Sequence, residues 1–114
     1  MKKFEFKPWG WYLVLDENHD YKVKRIFVKP NEQFSLQYHN NREEHWTILD
    51  GVGTITQDDI ESTIRPGEYA YIPPKQIHRL NGGEKGIWFI EVQRGECRED
   101  DIVRLKDDYG RVKC

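Results

Sequence analysis

A chain of 114 residues with a formal net charge of −2 is long enough to bury one core without disulfide staples and short for two. Eighteen Lys and Arg against twenty Asp and Glu exclude nucleic acid or an anionic membrane as the main partner. With 33% of residues charged, no apolar run reaches the length that spans a bilayer. The opening MKKFEFKPWG has no apolar stretch behind its lysines, so no signal peptide is expected. Two cysteines, Cys97 and Cys114, are too few for a disulfide framework. A single domain over residues 1–114 in a reducing, cytoplasmic setting is the expectation.

Helical periodicity is nearly absent, and short runs rich in β-branched and aromatic residues alternate with polar turns. In chain order, strands are predicted at Trp11–Leu15, Tyr21–Val28, Phe34–His39, Glu44–Asp50 and Val52–Gln57. Further strands are predicted at Glu61–Arg65, Tyr69–Ile72, Ile77–Leu80, Ile87–Gln93 and Ile102–Leu105. Between them lie Lys29-Pro30-Asn31, Asp50-Gly51, Asp58-Asp59, Pro66-Gly67, Pro73-Pro74 and Asn81-Gly82-Gly83, all with turn chemistry. Asp58-Asp59 is the weakest of these, since neither residue relieves a positive φ as glycine does. Many short strands without crossover helices predict an all-β antiparallel sandwich or barrel.

Four histidines punctuate this pattern. His19 sits in the solvated turn Asp16–Asp20 and is assigned no chemistry. In the run Phe34–His39, alternation sets Phe34, Leu36 and Tyr38 on one face and Ser35, Gln37 and His39 on the other. A polar face with Gln37 and His39 suits a small polar site at a barrel mouth. In the next strand, turning Trp46 and Ile48 inward brings Glu44 inward too, while a straight count from His39 brings in His45. The turn at Asn40–Glu43 breaks that count and favours Glu44.

These residues resemble the two-part cupin signature. His39 fits its first histidine, and Glu44 precedes Gly51 by the required spacing. Gly67, Pro73 and His78 keep the spacing of the second motif, with Asn81 one residue early. Two positions depart: Asn41 stands where the second histidine is expected, and Lys75 replaces an inner glycine. A narrower resemblance covers almost the whole chain. Lys7-Pro8-Trp9-Gly10-Trp11-Tyr12, Tyr21–Ile26, Ser35-Leu36-Gln37, Arg42 with Glu44-His45-Trp46, Glu99–Arg104 and Asp108–Arg111 look like the cupin domain of type II phosphomannose isomerases. That module usually follows a mannose-1-phosphate guanylyltransferase domain, and no Gly-rich nucleotide loop is present here.

The resemblance implies a double-stranded β-helix, the cupin jelly-roll barrel. It also implies a divalent metal, zinc first and Mn, Fe or Ni as alternatives, held by His39, Glu44 and His78. Gln37-x-His39 resembles the Gln-x-His ligand pair of type I phosphomannose isomerases, so Gln37 is a fourth candidate. The implied reaction interconverts mannose 6-phosphate and fructose 6-phosphate through an enediol, which requires a base. His45 and Glu43 are the candidate bases, with His45 preferred because its ordinary pKa lies near neutrality. Arg42 and Arg79, each beside a candidate ligand, are expected to hold the substrate phosphate. Competing readings are a non-catalytic sugar- or sugar-phosphate-binding cupin and a related sugar-phosphate or nucleotide-sugar epimerase. The apolar residues opposite Gln37 and His39, with one face of Ile87–Gln93, are expected to pack between two copies as a homodimer.

Overall fold

The computed structural model describes residues 3–112; Cys114 falls outside them. Eleven strands and no helix make up the described residues. They are β1 (Lys3–Lys7), β2 (Gly10–Asn18), β3 (Tyr21–Val28), β4 (Leu36–Tyr38), β5 (Arg42–Asp50), β6 (Gly53–Gln57), β7 (Ile60–Ile64), β8 (Tyr69–Ile72), β9 (His78–Asn81), β10 (Ile87–Gly95) and β11 (Val103–Lys106). A six-stranded sheet in the order β1-β2-β3-β10-β5-β8 faces a five-stranded sheet in the order β11-β4-β9-β6-β7. Every strand pairing is antiparallel. The architecture is the all-β jelly-roll barrel that the resemblance implied.

Ten of the strands were predicted from the sequence; β1 was not. Its alternating Lys-Phe-Glu-Phe-Lys pattern has little to bury, and its first four residues are exposed. Pairing with β2, from Lys3 opposite Val14 to Lys7 opposite Gly10, supplies the order that composition does not. The Asp58-Asp59 hairpin between β6 and β7 forms with Asp58 in the left-handed region at φ 53°, which an Asp side chain tolerates better than most.

The strand predicted at Phe34–His39 is shorter than expected, and this moves a key residue. Regular pairing covers Leu36–Tyr38, while Gln33 makes only an isolated bridge to Asn81. Alternation therefore does not extend back to Phe34, which turns inward and packs edge-on against Trp9 and Trp46. Phe34 belongs to the core and not to an outer docking face.

The inner faces build the core in layers that change character along the barrel. On β10 the buried residues run Ile87, Phe89, Glu91, Gln93. Across the ladders, Val28 opposes Ile87, while Ile26 and Ile48 oppose Phe89. One level higher, Lys24 and Trp46 oppose Glu91, and Glu44 opposes Gln93. On the other sheet, β9 passes from Leu80 to His78, both fully buried. The lower half is thus a dry apolar plug that fixes the barrel by burial. The upper half repeats the same pleat with polar side chains. Burying those costs free energy unless they are paired, so their pairing locates the site.

Candidate metal centre and cavity

His39 just after β4, Glu44 on β5 and His78 on β9 converge from both sheets. Each is at most 3% exposed, and their candidate ligand atoms lie within 4.8 Å of one another. Glu44 Oε2 is 3.2 Å from His39 Nε2, and Glu44 Oε1 is 3.8 Å from His78 Nε2. Both rings are set from behind. His39 Nδ1 donates to the Asp101 carbonyl at 2.7 Å, and His78 Nδ1 donates to the Gln76 carbonyl at 2.9 Å. A carbonyl only accepts, so each Nδ1 carries a proton, and each ring turns its Nε2 towards the centre.

His78 Nε2 is buried and has no hydrogen-bond partner among the described residues. Burial holds the His78 pKa below its ordinary value, against the pull of Glu44, and so keeps the ring neutral. Burial alone pushes the Glu44 carboxyl up, but His39, Arg42 and His78 together hold it well below the usual carboxylate range. Two imidazole nitrogens and a carboxylate, one nitrogen without any hydrogen-bond partner among the described residues, fit a divalent first-row ion such as zinc. Gln37 lies beside the set, its Nε2 3.4 Å from His39 Nε2 and its Oε1 accepting from Ser35 Oγ at 2.6 Å. Asn41 is exposed and lies outside it.

Above the centre opens a cavity of about 120 Å³. Gln37, His39, Arg42, Glu44, Glu91 and Gln93 line its depth. Lys24 and Glu99 border it, and Lys7, Arg104 and Arg111 stand among its lining cations. Lys24 Nζ bonds Glu99 at 2.8 Å and sits 3.9 Å from the centroid of the Tyr12 ring. Arg104 is left short of partners: its Nε is buried and unbonded among the described residues. Burial and the neighbouring Arg111 lower its pKa, against the pull of Asp107.

The pleat sorts the remaining sequence candidates. With Glu44 inward, Glu43 and His45 must point out of the barrel. There His45 Nε2 meets Glu43 at 3.0 Å and Nδ1 bonds the Tyr69 hydroxyl. Neither lines the cavity, so the assignment of the base to His45 and Glu43 is corrected. Arg79 alternates with the inward His78 and Leu80 and faces outward, bonding the Phe34 and Lys106 carbonyls at 3.0 Å each. Arg42 is inside, but Glu44 and His39 engage its guanidinium: Nη2 lies 3.0 Å from Glu44 Oε2 and 3.1 Å from His39 Nε2. The assignment of phosphate to Arg42 and Arg79 is corrected on these grounds.

Residues not singled out in the sequence complete the site. Glu91 and Gln93 share a strand face with Ile87 and Phe89; that break in apolar alternation was the available signal. Lys24, whose face alternation alone does not settle, is inward with Ile26 and Val28. Asp101, within the Glu99–Arg104 run, has a structural part to play. It clamps the loop after His39 by accepting from the Asn40 and Asn41 backbone N–H groups at 2.9 Å each.

Residues 1–107 match the family model described as mannose-6-phosphate isomerase C-terminal. The chain belongs to that family. Its similarity to curated proteins is strong but partial in length. It is 43% identical over 109 residues to the xanthan biosynthesis protein XanB of Xanthomonas campestris pv. campestris and to the alginate biosynthesis protein AlgA of Pseudomonas aeruginosa. It is 42% identical over 109 residues to a mannose-1-phosphate guanylyltransferase of Escherichia coli K12. In each case 94% of this chain matches only 23% of the relative's length. Among solved structures, the isomerase-family chain resembles an RmlC-like cupin from Shewanella frigidimarina, with a TM-score of 0.76 and 17% identity over 87% of each chain. It also resembles the oxalate decarboxylase of Bacillus subtilis, with a TM-score of 0.78 and 17% identity over 91% of this chain and 30% of that one. At such identities the likeness shows the cupin fold alone.

Proposed function

We propose that this cavity isomerises a hexose 6-phosphate, interconverting mannose 6-phosphate and fructose 6-phosphate. The observation that carries the reading is the convergence of His39, Glu44 and His78 beneath a cation-lined cavity, with the His78 lone pair unpartnered. Gln37, His39, Glu44 and His78 would hold a divalent metal, whose Lewis acidity would stabilise negative charge developing on the sugar oxygens. The chain's own residues do the rest. The Asp101 and Gln76 carbonyls fix both imidazole tautomers. Arg104, with Lys7 and Arg111 lining the same cavity, offers the phosphate a fork and point charges. Trp9, Tyr12 and Phe34 wall the cavity with apolar surface that limits water around the reacting carbons.

One observation favours a second reading, a sugar-phosphate binder without chemistry. Arg42 already bridges Glu44 and His39, so a cation satisfies the centre with no ion bound. Incubating the protein and a divalent ion with mannose 6-phosphate, and following the C1 methylene of fructose 6-phosphate by NMR, separates the two. Product in both directions supports the isomerase; bound but unchanged sugar supports the binder and overturns it. The proposal includes a homodimer packed through the outer face of the six-stranded sheet. There Phe6, Trp11, Phe27 and Trp88 form a continuous run of aromatic contacts.

A further inference from the structure

Aldose–ketose isomerisation moves one proton from C2 to C1, and with His45 and Glu43 outside the barrel the base must come from the cavity lining. Most ionisable groups there are engaged. Glu44 accepts from Arg42 Nε at 3.0 Å and from Trp46 Nε1 at 3.1 Å and faces both histidines. Glu99 takes Lys24 at 2.8 Å and Lys22 at 3.0 Å. Burial raises Glu99, but the two lysines bring it down to about 2, too low to accept a proton near neutrality. Burial lifts the Tyr12 hydroxyl well above its ordinary value, so it does not ionise there either.

Glu91 differs from all of these. It is 5% exposed, lines the cavity, and receives a hydrogen bond from Gln93 Nε2 at 2.5 Å. On β10 it lies two residues from Gln93, whose ladder partner is Glu44. The acid therefore stands diagonally across the inner face from the metal-binding carboxylate, about 7–8 Å away by sheet geometry. That spacing suits a sugar lying between the two. Beside it, Gln93 Oε1 is buried without a partner among the described residues. An orphaned acceptor in a cavity wall needs a donor, and a sugar hydroxyl supplies one.

We propose that Glu91 is the catalytic residue that shuttles the proton between C2 and C1, with Gln93 orienting both Glu91 and a substrate hydroxyl; this rests on the isomerase reading. In the forward direction the Glu91 carboxylate takes the C2 proton. The C2–H electron pair becomes the C1=C2 bond, and the former carbonyl pair moves onto O1. Glu91 then returns its proton to C1 while the O2 proton passes to O1, giving the ketose with no net gain or loss of atoms or electrons. The charged neighbours of Glu91 are consistent with this task. Burial and Glu44 push its pKa up, Lys24 from β3 and Arg42 from β5 pull it down, and it settles at about 7. An acid so placed both accepts and releases a proton near neutral pH.

The test uses the full chain with Mn²⁺ or Zn²⁺ added. Glu91→Gln keeps the shape and the Gln93 contact and removes the base. It is expected to lower kcat by about 10²–10⁴-fold and to abolish exchange of the C2 hydrogen with D₂O. Metal affinity, read by calorimetry, is expected to stay within about twofold, because Glu91 is not a ligand. A Glu91→Gln protein that turns over or exchanges at the wild-type rate overturns the proposal. So does a Glu91→Asp protein with wild-type kcat and pH profile, and this variant retains the acid should the amide impair folding. A wild type that binds the ion but neither isomerises nor exchanges overturns the isomerase reading itself, and the role of Glu91 with it.

Discussion

His78 hydrogen-bonds through Nδ1 alone, and its other nitrogen has no hydrogen-bond partner among the described residues. Replacing it with alanine is expected to weaken divalent-ion binding by more than ~100-fold, the most that losing a residue which only orients a ligand costs. The fold is expected to lose only about 1–3 kcal/mol for the small void. His19, exposed beside Asp20, should change neither on truncation. Calorimetric ion titration and urea melts of both variants check this pair. Glu99 sets an acid dependence with a definite sign. Its carboxyl titrates near 4.5 when free and near 2 in the fold, so the unfolded chain binds the extra proton first. Stability is therefore expected to fall as pH drops from about 4.5 towards 2. Glu99→Gln should flatten that slope, and salt should shrink the difference because the side chain is half exposed. Of the site itself, the inward placing of Gln37, His39 and Glu44 could be read from strand alternation, and His78 only from the spacing of the motif it resembles. The Asp101 clamp could not, because it joins residues about sixty positions apart through backbone atoms that no side-chain pattern encodes.

At the scale of elements, two glycines in similar backbone conformations make a controlled comparison. Gly51, in the β5–β6 turn at φ +88°, would place a Cβ 2.1 Å from the Gly86 carbonyl oxygen. Gly67, at φ +83°, has nothing within 4 Å of the same position. Gly67→Ala is expected to cost about 1 kcal/mol for the left-handed backbone alone. Gly51→Ala adds displacement of β10 backbone and is expected to cost about 3 kcal/mol or more, read from urea midpoints at constant m-value. Strand identity was legible wherever one face is buried, as in β5 and β10. It failed at β1, which is ordered by its partner. It misplaced Phe34 because two-residue periodicity was extended beyond the last regular ladder pair of β4. The same periodicity in β5 places Glu44 inward, which fixes His45 and Glu43 outside.

Across the whole molecule, the lower barrel is apolar and the upper barrel polar inside, and the outer face of the six-stranded sheet carries an aromatic run. Trp11, Phe27 and Trp88 stack there with ring centroids 4.6–6.0 Å apart, and Arg25 lies over Trp88. Sedimentation at micromolar concentration is expected to give a dimer, and Trp88→Glu a monomer that keeps its metal site; a monomeric wild type contradicts the dimer. The barrel class was readable from short strands and turn chemistry alone. Which sheet face remains apolar was not, since that depends on how β1, β2, β3 and β10 lie side by side. The central claim is that the polar half of the barrel is a metal-dependent isomerase site, and one rate measurement meets it directly. Conversion of mannose 6-phosphate to fructose 6-phosphate is followed on the protein stripped by chelator and then titrated with Zn²⁺ or Mn²⁺. The account predicts that turnover vanishes on stripping and returns, saturating at one ion per chain, in the wild type but not in His78→Ala. Turnover that survives stripping, or that returns equally in His78→Ala, would contradict it.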